Sequence, residues 1–333
     1  MGNSTKHQLQ KIGPLSFAMA CLIVWLHSTP EGPSLSPIVQ VTSVTNALGH
    51  CAVPFFFFVS GYLFFLNYAP QSAKGKLLRR VRSLLVPYIV WSCLACVVWL
   101  VVGRLLGWNY VEECAQFDGV GGFFKLFLTS GHLSVLWFVR NLMVYALLSP
   151  VFYLLLKHKW WGLTSIAVCA VISFAIEMTY YHLAYWLQVY LLGCWMGIHK
   201  KSFMAADAVS PWQVGIVVLW AALFCLSLST TTRFWSLFRL ATPIAVVTVY
   251  DLLNRHHLFK PHAFYKYAFL LYALHWIPLF VGQEYLRTHF EPEMTCLLYA
   301  YCLPPLVVVG SVGLSRFLDV GCHSVYRLLS GGR

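Results

Sequence analysis

The sequence predicts an all-α fold, a polytopic transmembrane helical bundle of about ten spans, each built on an apolar run near the ~20 residues that one crossing needs. Three observations predict it. The 333-residue chain is 59% hydrophobic and 10% charged, where a soluble domain carries about 25% charged residues. Its apolar runs are continuous, not alternating, which excludes a β-barrel. Lys and Arg gather in every second gap between runs, the positive-inside pattern, and this puts both termini in the cytoplasm. The net charge of +12 therefore reports topology before it reports any affinity for nucleic acid.

The elements follow in order. Lys6 and Lys11 make a basic, cytoplasmic start. Span 1 (15–28) reads LSFAMACLIVWLHS and ends at His27; no small-x-small cleavage site follows, so it is expected to be retained. A Pro/Ser/Thr-rich outer loop covers 30–49. Span 2 (50–68) contains PFFFFVSGYLFF and leads into the densest basic gap, Lys74, Lys76, Arg79, Arg80 and Arg82. Span 3 (84–102) has Pro87 in its first turn, where a missing backbone donor costs least. The 105–134 gap carries Glu112, Glu113 and Asp118, so it lies outside, with a short interfacial helix expected after Gly121-Gly122.

Span 4 (136–156) opens with LWFVRN and closes at Lys157-His158-Lys159 on the inside. Span 5 (161–176) ends at Glu177. Span 6 (183–198) carries Gly193-x-x-x-Gly197, a spacing that lets helices pack closely. A Ser/Thr turn separates span 7 (214–228) from span 8 (234–253), and Arg255, Lys260 and Lys266 mark the next inner gap. Span 9 (267–281) contains LLYALHW. Span 10 (295–317) follows Glu284, Glu291 and Glu293 and returns to Arg316 and Arg327. Residues 1–333 read as a single domain. Most of the eleven cysteines sit in apolar runs as small hydrophobes, while Cys51 and Cys114 share the outer side and are left open as a pair.

Four features are candidates for chemistry. His27 stands at the outer end of span 1, and an ionisable group within the membrane marks a functional site unless it only snorkels to the interface. Ser60-Gly61-Tyr62 interrupts an aromatic span, where Gly permits close approach and Ser can bend the helix. Arg79, Arg80 and Arg82 exceed what anchoring requires, and guanidinium suits bidentate phosphate capture. The fourth group is Trp137 with Arg140, and Tyr272 with His275. Tyr272 and His275 are three residues apart on one helix face, and His275 lies roughly 12 Å deep at ~1.5 Å rise per residue. The outer histidines His27, His50, His132 and His182 lack ligand spacing, so no metal is expected.

Taken together, ACLIVWLHS, VPFFFFVSGYLFF, RRVRSLLVPYIVW, LWFVRNLMVYALLSP, YLLGCWMG and FLLYALHW resemble the acyltransferase-3 family of integral membrane acyltransferases, and among them the short bacterial members made of the membrane domain alone. The resemblance implies a multi-pass protein of the bacterial inner membrane whose partners are the lipid bilayer and its substrates, not nucleic acid. It implies acyl transfer, often acetyl, from cytoplasmic acyl-CoA as co-substrate to a hydroxyl or amine of an extracytoplasmic glycan or lipid-linked sugar, as in O-acetylation of cell-envelope polysaccharide. Carried over, His27 is the catalytic base and Arg79, Arg80 and Arg82 bind the acyl-CoA. Ser60, Tyr62, Trp137, Arg140, Tyr272 and His275 are then expected along the acceptor cavity. The family's usual Arg eleven residues before the histidine is Ser16 here, with Lys11 as a substitute cation. The whole pattern predicts one hollow from the Arg cluster to His27. The rival readings are a transporter or flippase of a glycan or lipid-linked precursor, and a catalytically inactive membrane module.

Overall fold

The structure, a computed structural model, describes residues 3–28, 46–106, 121, 133–176, 178, 182–204, 208–229, 234–256 and 259–332. Among these residues the fold is all-helical, with no strand. Glu112, Glu113, Cys114, Asp118, the expected interfacial helix, His132 and Glu177 lie outside the described residues, as does most of the 30–49 loop.

The helices are α1 (Asn3–Leu26), α2 (Ala52–Phe65), α3 (Ala73–Arg80), α4 (Val86–Leu106), α5 (Trp137–Leu147), α6 (Ser149–Leu156), α7 (Lys159–Ala175), α8 (Leu183–His199), α9 (Pro211–Ser229), α10 (Phe234–Leu253), α11 (Ala268–Leu274), α12 (Trp276–His289), α13 (Pro292–Leu297), α14 (Leu303–Gly321) and α15 (His323–Ser330). Each of the ten apolar stretches is thus helical. Four helical units are long and apolar enough to cross a membrane, Asn46–Phe65, Pro70–Arg104, Phe234–Leu253 and Pro292–Gly321. Two bent pairs raise the number to six, and Gln10–Leu26, Lys159–Ala175 and Pro211–Ser227 are apolar but shorter.

Both bends have a proline cause. The α5–α6 pair bends by 64° and the Ala263–Leu274 and Trp276–His289 helices by 57°. A proline ring clashes with the carbonyl four residues back and supplies no donor of its own. Pro150 acts in this way on Ala146, and Pro278 on Leu274. The second break leaves His275 at the joint between α11 and α12.

The core is organised around α2, which is apolar on every side and therefore central. Phe55, Phe57, Phe58, Tyr62, Phe64 and Phe65 are all buried. Against it lies α8, at backbone-to-backbone range. A methyl group at Gly193 would meet the Phe58 carbonyl, one at Gly197 the Tyr62 carbonyl, and one at Gly61 the Tyr190 carbonyl. The three glycines thus set the distance between the two helices.

A buried ion pair ties the start of the chain to its second half. Lys11 Nζ lies 2.7 Å from Asp251 Oδ1, with both side chains at most 6% exposed. Uncompensated charge at such depth would cost several kcal/mol, so each residue requires the other. The pair joins α1 to the end of α10.

Candidate functional site

His27 follows the last residue of α1, and its N–H still donates to the Ile23 carbonyl, 3.1 Å. The Tyr299 hydroxyl donates to the His27 carbonyl at 2.8 Å, which anchors the turn. The imidazole packs edge-on against Trp276 with centroids 5.1 Å apart, and lies 5.3 Å from the His275 ring. His275 is fully buried. Its Nδ1 lies 2.6 Å from the Tyr272 carbonyl, an atom that can only accept, so Nδ1 carries the hydrogen. The lone pair is then on Nε2, which is buried and has no hydrogen-bond partner.

His27 opens onto a cavity of about 420 Å³ at the C-terminal end of α1. Asn46, His50 and Arg239 supply its other polar groups; Trp137, Tyr185, Trp186 and Trp235 supply much of its aromatic wall. The Asn46 amide donates to the Leu26 carbonyl at 3.0 Å, holding that wall to α1. The His50 and Trp235 rings are 5.0 Å apart.

A second cavity, about 440 Å³, lies beside the middle of α1, lined by Ile12, Gly13, Ser16, Ser60, Arg80 and Lys266 among others. Ser16 and His27 are eleven residues apart, about 16 Å along a helix at ~1.5 Å per residue. Arg80 donates from Nη2 to the Ser60 carbonyl at 3.1 Å, and its guanidinium lies over the Phe64 ring. Lys76 donates to the carbonyls of Phe64 and Leu66, 2.8 Å each. Lys76 therefore satisfies carbonyls left open at the C-terminus of α2, and Arg80 adds a second cation near that end, where the helix dipole favours positive charge. Lys266 is paired with Asp319 at 2.6 Å.

Phe56, Phe138 and Tyr272 line both cavities. In place of a single open hollow, two chambers back onto one aromatic partition. The Phe138 ring is 6.1 Å from Phe56 and 5.9 Å from Tyr272. The Tyr272 hydroxyl donates to the Val135 carbonyl, which fixes that side of the partition. Phe56 and Phe138 have no polar tether, because a phenyl ring has no hydrogen-bonding atom.

The structure sorts the sequence-predicted residues. His27, Trp137 and Tyr272 meet at the first chamber, with His275 directly behind His27. Ser60 and Arg80 meet at the second, and Arg79 and Arg82 lie on the exposed side of the same segment. Tyr62 lines neither chamber; its hydroxyl donates to the Lys201 carbonyl at 2.5 Å. Arg140 also lines neither, and donates from Nε and Nη2 to Asn141 Oδ1 at 3.3 Å. Ser16, at the expected arginine position, does line the second chamber, while Lys11 is engaged by Asp251.

Sequence reasoning missed Arg239 and took Lys266 as a topology marker alone. The signal for Arg239 was present, an arginine inside the apolar run FWSLFRLATPI, and intramembrane charge marks function. Among the described residues no three His, Cys, Asp or Glu side chains gather closely enough to hold a metal ion. Cys51 is buried, and its possible partner Cys114 lies outside the described residues.

In comparison with known proteins, the acyltransferase-3 family, described as "Acyltransferase domain", matches residues 18–316. No curated protein and no solved structure matches the chain.

Proposed function

The chain belongs to the acyltransferase-3 family, and from that premise we propose that it moves an acyl group, acetyl as the resemblance implies, from cytoplasmic acyl-CoA to a hydroxyl or amine of an extracytoplasmic glycan or lipid-linked sugar. The reading takes ten crossings of the bacterial inner membrane with both termini inside. One observation carries it: a chamber with cations and a chamber with an imidazole meet at one aromatic partition. A donor bearing several phosphates suits the Arg80 chamber, and an acceptor awaiting deprotonation suits the His27 chamber.

The chemistry follows from the side chains. Arg80 and Lys266 in the chamber, with Arg79 and Arg82 at its exposed approach, hold the phosphates of the donor. The thin pantetheine arm passes between Phe56 and Phe138, bringing the thioester carbonyl to the far side. The neutral His27 imidazole takes the proton of the acceptor hydroxyl as its oxygen attacks that carbonyl. The C–S bond breaks, its electron pair stays on sulfur, and the thiolate takes the proton back from His27. His275 is a positioning residue: its buried ring packs behind the His27 imidazole, centroids 5.3 Å apart. Trp137, Phe138 and Tyr272 keep water from the thioester.

Purified protein with labelled acetyl-CoA and an acceptor tests the assignment. His27→Ala should lose transfer while still binding acetyl-CoA; full transfer by that variant removes the base. Two chambers either side of a narrow partition also suit a carrier of glycan precursors. Movement of substrate across vesicles with no acyl-CoA present would favour the carrier.

A further inference from the structure

Arg239 has no role in the chemistry above. It sits in the second turn of α10, is 4% exposed, and lines the His27 chamber. Its Nε donates to the Trp235 carbonyl at 2.7 Å. The guanidinium carbon lies over Tyr185, 3.6 Å from the ring centroid, with Trp186 at 5.3 Å. The Nη1 atom is buried and has no hydrogen-bond partner. Among the described residues, neither Asp nor Glu lines this chamber. His27 and His50 line it too, so every described titratable side chain on its wall, tyrosine aside, is a base.

A buried guanidinium with an unmet donor is costly, and desolvated cations are normally found paired. Packing on Tyr185 holds the guanidinium at the chamber wall, and a guanidinium so held suits a carboxylate or phosphate, which it binds through charged hydrogen bonds. The partly exposed Trp235 offers apolar surface for a sugar ring on the same wall. We propose that the acceptor carries an anionic group, a carboxylate or a phosphate, which Arg239 holds while a neighbouring hydroxyl is presented to His27. This deepens the acyltransferase reading and rests on it for the word acceptor; the anion site itself rests on Arg239 alone.

The test is calorimetric titration of the full chain in nanodiscs with methyl glucuronide, glucose 1-phosphate and methyl glucoside, three hexose probes that differ in charge. At least one anionic probe should bind about tenfold or more tightly than the neutral one, roughly the worth of one charged hydrogen-bond pair. Preference for the glucuronide identifies an acidic sugar, and preference for the phosphate a lipid-linked precursor. Arg239→Gln should abolish the difference and Arg239→Lys reduce it. Equal binding of all three probes by the wild type overturns the proposal without recourse to a variant, as does an Arg239→Gln protein that keeps the preference. Acetyl-CoA is titrated into the same preparation. Anion preference without acetyl-CoA binding keeps the anion site and removes the acyltransferase reading, and acetyl-CoA binding without anion preference does the reverse.

Discussion

The rings of His27 and His275 lie 5.3 Å apart, centroid to centroid, and are tilted by 30°. They come from opposite ends of the sequence, and the nearer one faces a cavity while the other is sealed behind it. The Tyr272 carbonyl fixes the hydrogen of His275 on Nδ1, and its Nε2, buried beside the His27 ring, has no hydrogen-bond partner.

This pairing makes a kinetic prediction. His27→Ala should lower kcat by about 10²- to 10⁴-fold, the usual worth of a general base. His275→Ala should lower it by about 10- to 100-fold, as loss of an orienting partner does, with KM for acetyl-CoA unchanged. A base works only when neutral, so activity falls on the acid side of the pH profile. That limb should move in the His275 variant. A profile identical to wild type at reduced kcat would make His275 a packing residue.

Arg80 differs from its neighbours, since it lines a chamber while Arg79 and Arg82 are exposed. Exposed charges contribute little individually, typically under about 1 kcal/mol. Arg80→Gln should therefore raise the Kd for acetyl-CoA by about tenfold or more, and Arg79→Gln or Arg82→Gln by about threefold or less. Equal losses at all three positions would mean that the donor lies on the surface and not in the chamber.

The partition can be opened by removing its untethered ring. Phe138→Ala leaves room between the chambers, so water gains access to the thioester. Acetyl-CoA hydrolysis without acceptor should rise relative to transfer. An unchanged ratio of the two rates would show that the arm takes another path.

Stability rests on two contacts distant from the chemistry. Gly193→Leu inserts a side chain where α8 meets the Phe58 backbone. Nothing there can yield except the helix itself, so the thermal midpoint in detergent should fall by several degrees. Gly215→Leu, where an added methyl would meet nothing, is the matched control.

Lys11→Met removes the cation beside the buried Asp251, and should destabilise by about 3–5 kcal/mol. Adding Asp251→Leu to it should recover most of that loss, because a buried pair replaced by apolar groups is often neutral. Additive losses in the double variant would show that each residue has another essential contact.

Much of this was legible from the sequence because a bilayer constrains local pattern strongly. With no water to satisfy backbone groups, apolar runs must be helices, and all ten stretches are. His27 and Arg80 were readable for the same reason, as ionisable groups at the edges of apolar runs. The glycine spacing 193–197 also announced a close helix contact, though not that its partners would be Phe58 and Tyr62.

What the chain determined by itself, then, was the element type, the helix order and the charge-bearing residues worth suspicion, all consequences of spacing along one strand of sequence. Only the tertiary structure decided which of those residues share a space. It set His27 against His275 across 248 positions of chain, left Tyr62 and Arg140 off both chambers, and brought Arg239 onto the wall beside His50. It also divided one expected hollow in two. The physical reason is that hydropathy reports how deep a residue sits, whereas a cavity depends on the rotation of each helix about its axis, which is settled by packing among neighbours.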